Sequence, residues 1–166
     1  IEGRGRAPEY VANVIKSYRQ AIDALSEGTY DKDKVIGWML ELEKVYNRGF
    51  WNGYYLGQKL GEWSKGSGSH ATQKKVYVGK GVHFFPKANI GEFKLEAYDL
   101  KIGDRILITG PTTGAQELNI TEMFVNDQKG KLAKRGDNIT LPLEFRIRPN
   151  DKLYKIVAVE KPVETV

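Results

Sequence analysis

The strongest constraint in this 166-residue chain is a turn that occurs three times between residues 75 and 159. Each time, a polar reversal ends in an aspartate and launches an apolar run. Lys101-Ile102-Gly103-Asp104 precedes 105–109, Lys134-Arg135-Gly136-Asp137 precedes 138–141, and Pro149-Asn150-Asp151 precedes 152–157. Glycine tolerates the positive φ of a tight reversal, and aspartate is expected to hydrogen-bond its own backbone two residues on. Between the turns the pattern has period two. Val76 and Val78 alternate with Lys75 and Tyr77, and Phe93, Leu95 and Ala97 with Lys94 and Glu96. Leu143, Phe145 and Ile147 alternate with Glu144, Arg146 and Arg148. One apolar face per strand predicts a sheet wrapped on a core. The spacing predicts about seven short strands in a small antiparallel β-barrel over residues 73–166.

The first part of the chain has a different period. Pro8 suits a first helical position, and Val11, Val14, Ile15, Tyr18, Ile22 and Leu25 recur at helical spacing up to Gly28, a natural stop. Asp31 or Asp33 can cap a second helix that carries Val35, Trp38, Met39, Leu42, Val45 and Tyr46 and ends near Asn47 and Gly49. The two stripes are large for a hairpin alone, so the helices are expected to pack onto something further, either the barrel or a missing partner domain. Residues 50–57, rich in aromatics and glycine, follow neither period. Lys65-Gly66-Ser67-Gly68-Ser69 reads as a flexible linker. The expected organisation is therefore α+β: a helical segment over 1–64, a linker over 65–72 and the barrel over 73–166.

The chain contains no cysteine, which excludes a disulfide framework, a thiolate nucleophile and a thiolate-held iron–sulfur or zinc site within it. No apolar run approaches the ~18 residues of a membrane-spanning helix, and no secretory signal opens the chain, so the expected setting is cytoplasmic, away from membranes. His70 and His83 lack metal-ligand spacing, and no serine, histidine and acid arrangement supports a nucleophile. No catalytic residue and no metal site is predicted in this chain.

The segment Ile1-Glu2-Gly3-Arg4, then Tyr10-Val11-Ala12 and Tyr18-Arg19-Gln20-Ala21-Ile22-Asp23, resembles the stretch after the catalytic barrel of the collagenase-like peptidases, family U-32. Tyr46-Asn47-Arg48-Gly49-Phe50 and Gly53-Tyr54-Tyr55-Leu56-Gly57 are similar to that family's next landmark. The downstream part resembles the family's C-terminal module, which in turn resembles the second domain of elongation factor Tu. The resemblance implies a peptidase or collagenase label. It also implies relatives that support hydroxylation of tRNA or ribosomal RNA bases, or of ubiquinone, often with an iron–sulfur cluster. The cluster cysteines and the catalytic residues would lie in an upstream domain, so the chain is expected to be a C-terminal fragment that carries no cofactor. Ile1-Glu2-Gly3-Arg4 also spells a processing-protease site, but the family pattern runs on through it.

Binding candidates follow from charge. Residues 73–166 hold 16 Lys and Arg against 12 Asp and Glu, while residues 1–72 hold 10 against 9, so most of the excess lies in the barrel. Arg146 and Arg148, two apart on one expected strand, share an outward face, and Lys129, Lys131, Lys134 and Arg135 add a basic loop. Such charges, with Tyr77, Tyr98 or Tyr154 for stacking, are what an RNA phosphate track requires, although a cluster of this kind is more often a solvated face. Arg4 and Arg6 could touch an upstream domain or an anionic substrate. Arg48 could stack on Trp51 or Tyr54. Three roles remain open: RNA binding, peptide or collagen binding, and a structural cap on the upstream catalytic domain.

Overall fold

A computed structural model describes residues 1–50, 57 and 68–159. It divides into one unit formed by Ile1–Gln73 with Val159–Val166, and a second formed by Lys74–Ala158.

In the first unit, helix α1 (Pro8–Ser26) begins with its proline in the first turn, where a missing N–H costs nothing. It ends in a Schellman-type cap. Gly28 adopts φ 68°, its N–H bonds the Leu25 carbonyl at 3.2 Å, and the Thr29 N–H bonds that of Ala24 at 2.8 Å. Helix α2 (Lys32–Glu43) is capped by Asp31, whose carboxylate accepts from the Lys34 N–H at 2.7 Å. Val14, Ser17 and Ala24 are the buried side of α1, and no residue of α2 is fully buried. At 100° per residue, Ile15, Tyr18, Ile22 and Leu25 form a stripe beside that buried side, and all four are exposed. The predicted helical pair is present, with much of its apolar surface uncovered.

The second unit is a sheet of short strands: β1 (Gln73–Phe85), β2 (Ile90–Leu95), β3 (Leu100–Lys101), β4 (Arg105–Gly110), β5 (Gly114–Asn119), β6 (Phe124–Val125), β7 (Gln128–Lys129), β8 (Leu132–Ala133), β9 (Asn138–Pro142) and β10 (Lys152–Ala158). Eight of them run in the order β5-β4-β10-β1-β2-β9-β6-β7, and β3 pairs with β8 separately. The pairings β1–β2, β2–β9, β4–β5, β4–β10, β6–β7, β6–β9 and β3–β8 are all antiparallel. Val78, Phe93, Leu95, Ile106, Ile139 and Leu153 are sealed from solvent in one core. In β1 the register shifts between Gly81 and His83, so the alternation visible at Val76 and Val78 does not run through to the strand's end. Residues 143–148 are not a strand, contrary to the alternation-based expectation. They follow β9 as an irregular segment that bends at Glu144 and Phe145, with Leu143 and Ile147 buried and Arg146 and Arg148 exposed.

The three repeated turns share one geometry. The third residue has positive φ: Gly103 at 89°, Gly136 at 97° and Asn150 at 70°. The aspartate N–H donates to the carbonyl three residues earlier, at 3.1 Å to Lys101, 3.0 Å to Lys134 and 3.1 Å to Arg148. The same aspartate carboxylates accept from the N–H of those residues, at 2.9, 2.7 and 2.8 Å. The carboxylate therefore ties backward across the reversal, and not two residues forward as expected. The chain has folded back, which brings the earlier N–H within reach. Each aspartate closes its turn with two bonds before a strand begins.

Candidate ligand cleft and basic surface

The residues at the start of α1 and after α2 enclose a cleft of about 790 Å³ in the first unit. Tyr10, Val14 and Tyr18 line it from α1, four residues apart and therefore on one face. Met39, Leu42 and Val45 supply the opposing apolar wall. At its polar end the Tyr46 hydroxyl oxygen accepts from Arg48 Nε at 2.9 Å, and the Arg6 guanidinium lies over the Tyr46 ring, 3.8 Å from its centre. These two cations, Arg48 foremost through its hydrogen bond, hold the Tyr46 phenol below its ordinary pKa. Glu2 also lines the cleft, and its carboxylate accepts from the Arg4 backbone N–H.

Several residues of the sequence motifs thus meet in space. Glu2, Tyr10, Tyr18, Tyr46, Asn47, Arg48, Gly49 and Phe50 all border the cleft, whereas Gly3, Arg4 and Arg19 do not. Arg19 instead pairs with Asp23 one turn on. Asn47 ties its own loop, accepting from the Gly49 N–H at 3.1 Å and donating to the Val45 carbonyl at 3.0 Å. Trp51, Gly53, Tyr54, Tyr55 and Leu56 lie outside the described residues, and Gly57 is exposed with φ 73°. Tyr46 as the shared partner of two arginines was not foreseen. The Tyr-x-Arg spacing at 46 and 48 was the only local trace of it.

The basic residues of the second unit flank β9, with Lys129, Lys131, Lys134 and Arg135 before it and Arg146 and Arg148 after it. Lys129 is paired with Glu122 at 2.8 Å. The Lys134–Asp137 turn stands at the start of β9, and the Arg135 N–H bonds Asp99 at 3.0 Å. Arg146 and Arg148 follow the end of β9, and the Arg148 backbone is fixed at the approach to β10. Strands β1 and β2 stand between β10 and β9 in the sheet. Lys131, Lys134, Arg135, Arg146 and Arg148 are exposed, and no ion pair of their side chains is found among the described residues. A second cleft, of about 420 Å³, is bordered by Phe85, Glu92, Asn126 and Asp127 and by none of these cations.

Of the three candidate stacking tyrosines, two meet. Tyr77 and Tyr154 pack edge to face at 5.8 Å, with Lys75 Nζ 4.7 Å from the Tyr154 ring centre. The Tyr77 hydroxyl donates to Glu96 at 2.5 Å, and this bond, with burial second, pushes its pKa up to about 12. Tyr98 is exposed. Ultraviolet titration of phenolate absorbance should therefore show a late step near pH 12, absent in Tyr77→Phe, and an early one below the ordinary tyrosine value, absent in Tyr46→Phe. The Tyr77 contribution to stability is complete below its unfolded pKa of about 10. It is lost as pH rises through about 12, so Tyr77→Phe should flatten the stability curve in that window. A single phenolate transition at the ordinary value would contradict both assignments.

Among the described residues there is no group of three His, Cys, Asp or Glu able to hold a metal ion, and no helix long and apolar enough to cross a membrane.

A helical pair followed by an antiparallel sheet, with a motif-lined cleft on the pair, defines the kind of chain this is. Residues 1–65 match the model of Peptidase family U32. A collagenase of Porphyromonas gingivalis is 48% identical over 155 residues, which make up 93% of this chain and 37% of that protein. An uncharacterized protease of Methanocaldococcus jannaschii is 36% identical over 157 residues, 93% of this chain and 38% of the relative. The chain is thus related to the U32 peptidases, and it spans little more than a third of the length of these two relatives. Among solved structures, the C-terminal domain of a protein described as a U32 peptidase of Geobacillus thermoleovorans is 15% identical with a TM-score of 0.45. That match covers 48% of this chain and 90% of the domain.

Proposed function

We propose that this chain is a non-catalytic accessory module, C-terminal in a longer U32-type protein, that docks on the upstream catalytic domain and helps to position its substrate. The carrying observation is the uncovered stripe of α1, where Tyr18 is 60% and Leu25 70% exposed; Ile36 and Leu40 of α2 are exposed as well. An exposed apolar stripe of this kind marks an interaction surface, and burying it contributes roughly 25 cal/mol per Å². The upstream domain is the natural occupant because the curated relatives extend well beyond the length matched here. The absence of cysteine supports placing any iron–sulfur chemistry of the longer protein outside this chain. Expressed separately, the upstream region should bind this chain. The double variant Ile22→Glu, Leu25→Glu should weaken that binding at least tenfold without lowering the chain's own stability, since both side chains already face solvent. Equal binding by the variant would remove the stripe from the interface, and no binding by either would remove the docking reading.

A second reading, contact with tRNA or ribosomal RNA, is favoured by the exposed cations Lys131, Lys134, Arg135, Arg146 and Arg148. Placed before and after β9 along the chain, they suit a backbone that crosses the surface better than a single phosphate pocket. RNA affinity should then fall steeply with salt, and neutralising Arg146 and Arg148 together should reduce that slope. The name collagenase belongs to the Porphyromonas relatives. Retention of denatured collagen by this chain would be the result favouring peptide binding.

A further inference from the structure

We propose that the cleft of the first unit is a receptor for a carboxylate carried on an apolar body, held by Arg6, Tyr46 and Arg48. The cleft shares Tyr18 with the docking stripe but not Ile22 or Leu25, which do not line it, so variants at those two positions separate the proposals.

The argument is one of donors without acceptors. Arg48 spends Nε on the Tyr46 oxygen, which leaves both its terminal nitrogens and the Tyr46 proton to donate elsewhere. Arg6 sits over the same ring. Neither arginine has a carboxylate partner among the described residues. Two like charges held on one phenol repel each other, and an anion placed between them relieves that repulsion. Planar guanidinium forks match a carboxylate in two parallel hydrogen bonds, which lysine could not provide. The wall also carries Tyr10, Tyr18 and Asn47, but Val14, Met39, Leu42 and Val45 together form an apolar side that suits an aliphatic body. The volume of about 790 Å³ is within the range of small-molecule sites. Glu2 on the same wall decides between anions. Its charge penalises a doubly charged phosphate more than a singly charged carboxylate, so the favoured ligand has the chemistry of an aliphatic C-terminal residue.

The test is a titration of the 166-residue chain with N-acetyl-leucine, its neutral amide and inorganic phosphate, followed by backbone amide resonances. The acid should shift the residues around Tyr46 and Arg48 saturably, with the amide at least tenfold weaker and phosphate weaker than the acid. Arg6→Gln and Arg48→Gln should each cost at least tenfold, while Arg19→Gln, outside the cleft, should change nothing. Should an arginine variant fail to fold, Tyr46→Phe keeps the ring and removes only the hydroxyl, and it should weaken the acid several-fold. Equal binding of acid and amide, no saturable shift, tighter binding of phosphate, or full affinity in the folded arginine variants would each overturn the proposal. A chain extended through the upstream region then identifies the source. If the free acid no longer binds, the preceding domain supplies the carboxylate; if it still binds, the ligand is a separate molecule.

Discussion

Gly79→Ala should abolish cooperative folding of the second unit. A Cβ at this position would lie 2.0 Å from the Lys94 carbonyl oxygen and 2.9 Å from its carbon, both backbone atoms of the neighbouring strand. Gly79 stands opposite Leu95 in the β1–β2 ladder, so the only relief is to push the two strands apart. That would break the pairing that holds Phe93 and Leu95 over the core. Unlike a clash with a flexible side chain, this one has no rotamer to escape into, and a loss of about 4 kcal/mol or more is expected. Set against a total stability of about 5–15 kcal/mol for a domain, this is enough to unfold a marginal one. Chemical denaturation of the variant, followed by amide dispersion of the sheet, checks it. A native-like spectrum with an unchanged midpoint would refute the packing described.

The second large effect is a ranking among the three turn aspartates. Asp151 is 2% exposed and accepts from the Arg148 N–H at 2.8 Å and the Thr113 hydroxyl at 2.5 Å. Asp151→Ala would strand both donors in the interior at a cost of about 3 kcal/mol, whereas Asp151→Asn keeps an acceptor and should cost less. Asp104 is 8% exposed and accepts from the Lys101 N–H and from Lys155 Nζ at 2.7 Å. Its alanine variant should lose about 2 kcal/mol. Asp137 makes the same turn in a more solvated place, where water replaces what is lost, and its variant should be the mildest. Gly110→Ala probes the first case independently, because the added Cβ would meet the Asp151 carboxylate at 1.8 Å. Urea midpoints in the order Asp137, Asp104, Asp151, from least to most affected, are the expected outcome. Equal losses at all three would mean that burial does not set the strength of these turns.

The parts of the fold legible in the sequence were those with local causes. Pro8, Gly28 and Asp31 act within one turn of where they stand, so both ends of α1 and the start of α2 could be read from the sequence, whereas α2 stops at Glu43, short of the end expected near Asn47 and Gly49, and leaves Val45 and Tyr46 outside it. The three aspartate turns were visible for the same reason. Strands β3, β6, β7 and β8 were not, because two residues cannot show a period. The segment 143–148 misled for the opposite reason. Its alternation is real in burial, but a bent segment packed on a core can bury alternate residues such as Leu143 and Ile147 without joining a ladder. The cleft was the least legible feature. Arg6 and Tyr46 are forty positions apart, and only the folded hairpin makes them neighbours. Individually they read as a frayed basic terminus and one more helical aromatic.

The position of β10 has a consequence for how the molecule is made. It is the last strand among the described residues, yet it lies between β4 and β1 in the sheet. During synthesis, β4 with β5 and β1 with β2 and β9 can each pair locally, but they remain two separate pieces with unsatisfied edges until residues 152–158 leave the ribosome. A nascent chain stalled shortly before Lys152 would therefore be the species most exposed to wrong pairing and to chaperone capture. Emergence of residues 152–158 is what turns two half-sheets into one.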